Sequence, residues 1–134
     1  MHKLLLTTIL LAILCGFSCQ KEANDTSLQD TSWRLIQLVE GGVIESVPSD
    51  VVITATFTAD KLQGNGGCNA YNADYTTTGD QLAVTLNWAT ERLCADIKWE
   101  DRYFKALLAG HTWKSSGNTL TVLGANTLLV FTKE

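Results

Sequence analysis

The chain is poor in the side chains that do chemistry near neutral pH. It has two histidines, and one of them, His2, belongs to the first three residues, so His111 serves the whole of the rest. A zinc site draws three or four ligands from Cys, His and carboxylates, and nothing here supplies such a set. A Ser-His-Asp constellation needs a positioned serine, and no Gly-x-Ser-x-Gly elbow occurs. Basic residues are also scarce: ten Lys+Arg stand against fourteen Asp+Glu, a net charge of −4. With no basic patch, binding to nucleic acid is not expected. The one glycine-rich stretch is not followed by Lys-Ser/Thr and opens no βα unit, so a phosphate loop is a weak reading of it. No internal repeat or second domain is visible. The expectation is a protein with no catalytic residues, no metal and no cofactor.

What is present begins with the leader. Met1-His-Lys3 is a short positive start, Leu4 to Leu14 is almost wholly apolar, and Gly16-Phe17-Ser18-Cys19 follows. The apolar run contains Thr7 and Thr8 and falls short of the ~20 residues of a spanning helix, so it reads as an export signal over residues 1–18. Cleavage before Cys19, which follows the small Ser18, and lipidation of that cysteine fit the pattern better than use of Cys15, which follows bulky Leu14. The segment resembles a bacterial lipoprotein signal, although Gly16 and Phe17 depart from the usual small-residue box. Cleavage without lipid is the alternative. Gln20, rather than Asp, after the cysteine implies the outer membrane of a Gram-negative envelope, by similarity to bacterial lipoproteins. Acyl chains contribute about 0.8 kcal/mol per buried methylene, so two or three hold a protein stably.

Removing residues 1–18 leaves nine basic and fourteen acidic residues, a net −5, on a chain long enough for one domain with its own core. Residues 19–31 are polar and aperiodic and read as a flexible lipidated tether; residues 32–134 form the domain. Of the four cysteines, Cys68 and Cys94 remain. In an exported protein such a pair reads as a structural disulfide, stabilising by roughly 3–4 kcal/mol. Buried free thiols, or a redox or metal role, are the other readings.

Within the domain, period-two alternation predicts strands over Trp33–Val39, Val51–Thr58, Ala70–Thr77 and Leu82–Leu86, with three more at His111–Lys114, Thr119–Leu123 and Thr127–Thr132. Turn residues separate them: Gly41-Gly42, Ala59-Asp60-Lys61, Thr78-Gly79-Asp80, Ser116-Gly117-Asn118 and Gly124-Ala125-Asn126. Residues 97–109 change period. Ile97, Glu100, Phe104, Leu107 and Leu108 share one helical face, and Lys98, Asp101, Arg102 and Lys105 lie on the other. Asp96 is the expected N-cap and Gly110 the stop. The fold class is therefore mainly β, bordering on α+β: a small antiparallel barrel or half-barrel with one helix packed on it.

The most unusual stretch is Gly64-Asn65-Gly66-Gly67-Cys68-Asn69-Ala70-Tyr71. Three glycines in four residues suit a tight crossing or bulge before a strand, with Asn69 bonding its own loop or, alternatively, a ligand. Together with Trp33-Arg34-Leu35, Phe57, Asp60, Tyr75, Thr90-Glu91-Arg92-Leu93-Cys94, Glu100, Phe104, Leu108, Leu120-Thr-Val122 and Phe131, this stretch resembles the META domain, or HslJ-like, family over nearly the whole domain. The motif positions that carry the resemblance are Gly64, Gly66, Gly67, Cys68, Asn69, Tyr71, Thr90, Cys94 and Glu100. Glu91-Arg92 stands where the family usually has Arg-Met. The resemblance implies a small mainly-β fold, often lipid-anchored, linked to stress resistance such as heat shock and antibiotic tolerance, with no established catalysis. The acidic group Glu91, Asp96, Glu100 and Asp101 reads as a solvated face, except Glu100, which lies on the apolar side and is expected to pair with Arg92 or to accept backbone bonds.

Three functions follow as hypotheses. The first is a non-catalytic envelope lipoprotein that binds or scaffolds a protein or other envelope component. The second is a barrel that holds a small apolar molecule in a cavity lined by Trp88, Trp99 and leucines. The third, a hydrolase or redox activity, lacks the converging residues it needs.

Overall fold

The computed structural model describes residues 25–134; the expected export signal and the expected lipidation at Cys19 lie outside that range. The chain runs through β1 (Thr31–Glu40), β2 (Val43–Ser46), β3 (Thr54–Phe57), β4 (Lys61–Asn65), β5 (Ala70–Thr78), β6 (Gln81–Ala89), α1 (Lys98–Ala109), β7 (Thr112–Ser116), β8 (Thr119–Leu123) and β9 (Thr127–Lys133). All ladders are antiparallel, in the order β2-β1-β3-β4-β5-β6-β7-β8-β9, and a β1–β9 pairing closes the sheet into a ring. The mainly-β expectation with one helix holds.

Strand β1 makes the closure. Its first half pairs with β3 (Arg34↔Thr54) and its second half with β2 (Val39↔Ile44), while β9 runs along its other edge from Lys133 to Thr127. A bulge between Leu35 and Gln37 resets the alternation, so that Leu35 and Leu38 both point inward. The ring is thinnest at β6–β7, where Gln81↔Thr112 is the single ladder pair. Leu82 N–H donates to His111 O at 3.0 Å and Trp113 N–H to Asp80 O at 2.8 Å beside it. Helix α1 packs against β6 and β9.

The interior is filled. Trp33, Leu35, Leu38, Ile53, Phe57, Leu62, Tyr71, Tyr103, Leu120 and Phe131 are all essentially inaccessible. Each is worth about 1.5–3 kcal/mol of burial for an aliphatic or phenyl side chain. The turns fall into two sets. The β1–β2, β4–β5 and β8–β9 turns, residues 90–97 and α1 occupy one end of the ring; the β3–β4, β5–β6 and β7–β8 turns and both described chain ends occupy the other.

Three expectations need correction. Gly41-Gly42 does end β1, and the turn it makes leads into an unforeseen strand, β2, whose four residues are all exposed and carry no clean inward face. The helix begins at Lys98 with Ile97 as N-cap and no side-chain cap, so Asp96 does not play that part. The buried helical face is Trp99, Glu100, Tyr103, Ala106 and Leu107, with Leu108 exposed; the stripe is rotated because aromatic Trp99 and Tyr103 outcompete Ile97 and Leu108 for the core. Residues 25–31, expected to belong to a flexible tether, are packed onto the domain. Leu28 is buried, Asp30 N–H donates to Phe57 O, and Asp25 N–H donates to Ser115 O at 2.9 Å. Gly110 does end the helix, though with φ −63°; the demand there is for space, since a Cβ would meet Val122 Cγ1 at 2.5 Å.

Candidate functional site

The motif residues scattered from Gly64 to Glu100 converge on one knot at the helix end of the ring. The β4 strand passes so close to its neighbour that a Cβ on Gly64 would sit 2.2 Å from Thr54 O. The chain then turns through Gly66, where a Cβ would meet Phe104 Cζ at 2.8 Å and Glu100 Oε2 at 2.9 Å, and Gly67, whose φ of +117° suits glycine. Asn65 Oδ1 accepts from Gly67 N–H at 2.7 Å and steadies the turn.

This turn aims two consecutive backbone N–H groups at the helix. Glu100 Oε2 accepts from Cys68 N–H at 2.9 Å and from Asn69 N–H at 2.6 Å. Glu100 Oε1 accepts from Asn69 Nδ2 at 2.6 Å. Both residues are 4% exposed. A carboxylate this deep is tolerated because charge-assisted hydrogen bonds replace its water. Asn69 is used equally fully: Nδ2 also donates to Arg92 O at 3.3 Å, and Oδ1 accepts from Thr90 Oγ1 at 2.9 Å and Arg92 N–H at 2.6 Å. Arg92 thus enters through its backbone, and the expected Glu100–Arg92 ion pair does not form.

Cys68 and Cys94 are joined by a disulfide. The closed loop of 26 residues corresponds to about 3.5 kcal/mol on the chain-entropy model. It stitches the β4–β5 turn to the segment entering α1, in parallel with the Asn69–Arg92 bonds. Tyr71 completes the knot from below. Its hydroxyl donates to Thr54 O at 2.9 Å and so receives the proton of Tyr103 Oη, 2.7 Å away. Burial raises the Tyr71 phenol well above its usual range, with the Tyr103 bond opposing, and burial followed by the Tyr71 neighbour does the same for Tyr103. Tyr71 also meets Phe104 edge-on, with ring centroids 5.3 Å apart.

Chemically the knot is closed. Every donor and acceptor just named is spent on another part of the chain, and none is aimed into a cleft. Its function is to hold the loop over residues 90–97 and the helix onto the sheet.

Other features were hidden in the sequence. Arg102, placed on the solvent face by periodicity, reaches over the Trp99 ring at 4.8 Å. It donates from Nε to Glu40 at 2.7 Å and grips Glu45 with both terminal nitrogens at 3.0 and 3.1 Å. Trp88 points outward from β6 and is 54% exposed, whereas Trp99 is buried, so they do not line a common cavity. A cleft of about 330 Å³ is bounded by Asp25, Thr26, Gly79, Asp80, Trp113 and Lys114.

Exposed apolar side chains are unevenly placed. Val43 and Ile44 on β2, Val52 beside the glycine turn, Trp88, the fully exposed Leu93 and Leu108 belong to the knot end; Ile36, midway along β1, and Leu123, which shares a cleft with Asp80 and Lys114, are the exceptions. On the outer face, Ile44, Val39, Leu128 and Leu123 are direct cross-strand partners in one row.

A ring of antiparallel strands capped by one helix, with a Gly-Gly-Cys-Asn turn clasped to a helix glutamate and a disulfide, defines a small domain whose sheet is antiparallel throughout. The META domain profile matches residues 26–134, and the chain belongs to the META domain family. No curated protein matches it. Among solved structures, the solution structure of a protein from Burkholderia xenovorans is similar, with a TM-score of 0.70, 24% identity, and coverage of 80% of this chain and 83% of that one. A DUF4847 family protein from Bacteroides vulgatus is also similar, with a TM-score of 0.62, 12% identity, and coverage of 78% and 93%. At these identities the likeness speaks to the fold.

Proposed function

We propose that this META-domain protein is a non-catalytic envelope lipoprotein, anchored through Cys19, that acts as a binding or scaffolding module for another envelope component under stress. The observation that carries this reading is the distribution of exposed apolar surface. Large side chains such as Leu93, Trp88 and Ile44 are left in water at one end of the molecule, around a filled interior and a knot whose polar groups are already engaged. Clustered apolar exposure marks interaction surfaces on soluble domains. The leader supports lipidation and the outer membrane, and the family resemblance supports the stress connection.

The test is a photo-crosslinking side chain placed in intact cells at Leu93 or, as a control, at Asn118 on the opposite end. A discrete adduct from Leu93 that disappears in a Trp88→Ser/Ile44→Ser background is the expected result. Identical adduct patterns from the two positions, or turnover of a substrate by the purified protein, would sink the proposal.

A further inference from the structure

The described chain starts fastened, and that fixes which way the domain faces. Asp25 N–H donates to Ser115 O at 2.9 Å, and Ser115 Oγ donates back to Asp25 Oδ2 at 2.7 Å. Ser115 is 1% exposed. Three residues on, Leu28 fills the core, its carbonyl accepts from Thr31 Oγ1, and Asp30 is bonded to Phe57 O. Residues 25–31 are therefore part of the body and not of a tether, and the attachment point lies on β7 at the end opposite the knot.

Only six residue steps separate Cys19 from Asp25. Fully extended they reach about 20–22 Å, and as a flexible coil they average about 12–15 Å. The body is longer than that: β1 alone has ten residues, about 33 Å of strand. To turn the Asp25 end away from a membrane holding Cys19, the tether would have to pass around the body, which it is too short to do.

We propose that the end of the ring formed by the β3–β4, β5–β6 and β7–β8 turns is the bilayer-facing surface of this protein, held there by the Asp25–Ser115 junction, and that the apolar knot end projects away from the lipid. This deepens the lipoprotein reading and rests on it. The surface chemistry agrees. The proposed lipid-facing end carries Asp25, Asp30, Asp60, Asp80 and Glu134 against Lys61, Lys114 and Lys133, and of the large exposed apolar side chains only Leu123 comes near it, in a cleft shared with Asp80 and Lys114. It has nothing to insert and no excess positive charge to attract anionic headgroups. Attachment is the work of the acyl chains, and this end rides just above the headgroups. The same placement presents Leu93, Trp88 and Ile44 to partners in the aqueous compartment.

The experiment uses the full lipidated protein in vesicles of phosphatidylethanolamine and phosphatidylglycerol doped with a nitroxide-headgroup lipid. A fluorophore is attached at Asn118→Cys, in the β7–β8 turn, or at Ala125→Cys, in the β8–β9 turn; both are exposed. The probe at 118 is expected to lose most of its fluorescence and the probe at 125 little. A long Gly/Ser insertion between Cys19 and Asp25 is expected to erase the difference. Equal quenching of the two probes in the uninserted protein, or stronger quenching at 125, overturns the orientation while leaving the lipoprotein reading intact. Intact mass without acyl chains on Cys19 overturns both, so the two failures are distinguishable.

Discussion

Glu100 shows how a single residue can look catalytic and be architectural. A buried carboxylate in a helix invites a general-base reading, yet its two oxygens accept three hydrogen bonds from Cys68 and Asn69. Replacing it with glutamine turns one acceptor into a donor that must face a donor, whichever way the amide is set. Flipping Asn69 to compensate would break its bonds from Thr90 and Arg92. Glu100→Gln is therefore expected to destabilise the domain by about 2–4 kcal/mol, read as a lower urea midpoint with an unchanged slope. An unmoved midpoint would mean that the clasp carries little energy. Of this site, the sequence showed the glutamate on the apolar face and offered backbone acceptance as one of two roles. The other role, pairing with Arg92, was wrong because Arg92 lends its peptide groups, and no side-chain pattern reveals that. Asn69 was expected to bond within its own loop; instead it spans to Thr90 and Arg92, about twenty positions away, a distance that one-dimensional spacing does not encode.

At the scale of elements, regular periodicity was legible and irregularity was not. Strands β5, β8 and β9 fall within a residue or two of their expected limits, because alternation and turn glycines agree there. Strand β2 escaped because none of its four residues is buried, and a strand without an inner face has no period to read. Beyond its ladder with β1, it is held by Arg102, whose guanidinium bridges Glu40 on β1 and Glu45 on β2 from the helix. Arg102→Ala is expected to accelerate amide exchange across Val43–Ser46 while lowering global stability by only about 1 kcal/mol, since the partners are partly exposed. Arg102→Lys is expected to do nearly the same, because an ammonium cannot reproduce the fork. Unchanged exchange in both variants would show that the hairpin stands without the helix.

At the scale of the whole molecule, the three tyrosines report on the fold together. Burial is the first cause of the upward shift of Tyr71, Tyr75 and Tyr103, reinforced for Tyr75 by Asp30 and Asp60. The folded state thus keeps protons that the unfolded chain releases from about pH 10. Their contribution to stability is complete below that pH and declines as pH rises toward the folded values. An alkaline titration is expected to show the phenolate absorbance of Tyr71 and Tyr103 appearing together with loss of near-ultraviolet circular dichroism. A phenolate step of all three tyrosines near pH 10 with the fold intact would contradict the burial described.

The pairing of β1 with β9 joins the beginning of the domain to its end: Trp33 lies opposite Lys133. Half-made chains therefore have no route to a closed wall. During synthesis and folding, the first strand must wait with one edge bare until the last seven residues of sheet arrive, and contacts of such long range are slow to form. A chain shortened by its final strand would leave Leu35 and Leu38 without their roof. Cellular quality control is thus handed a simple criterion, since only a polypeptide finished to its last strand can hide its grease.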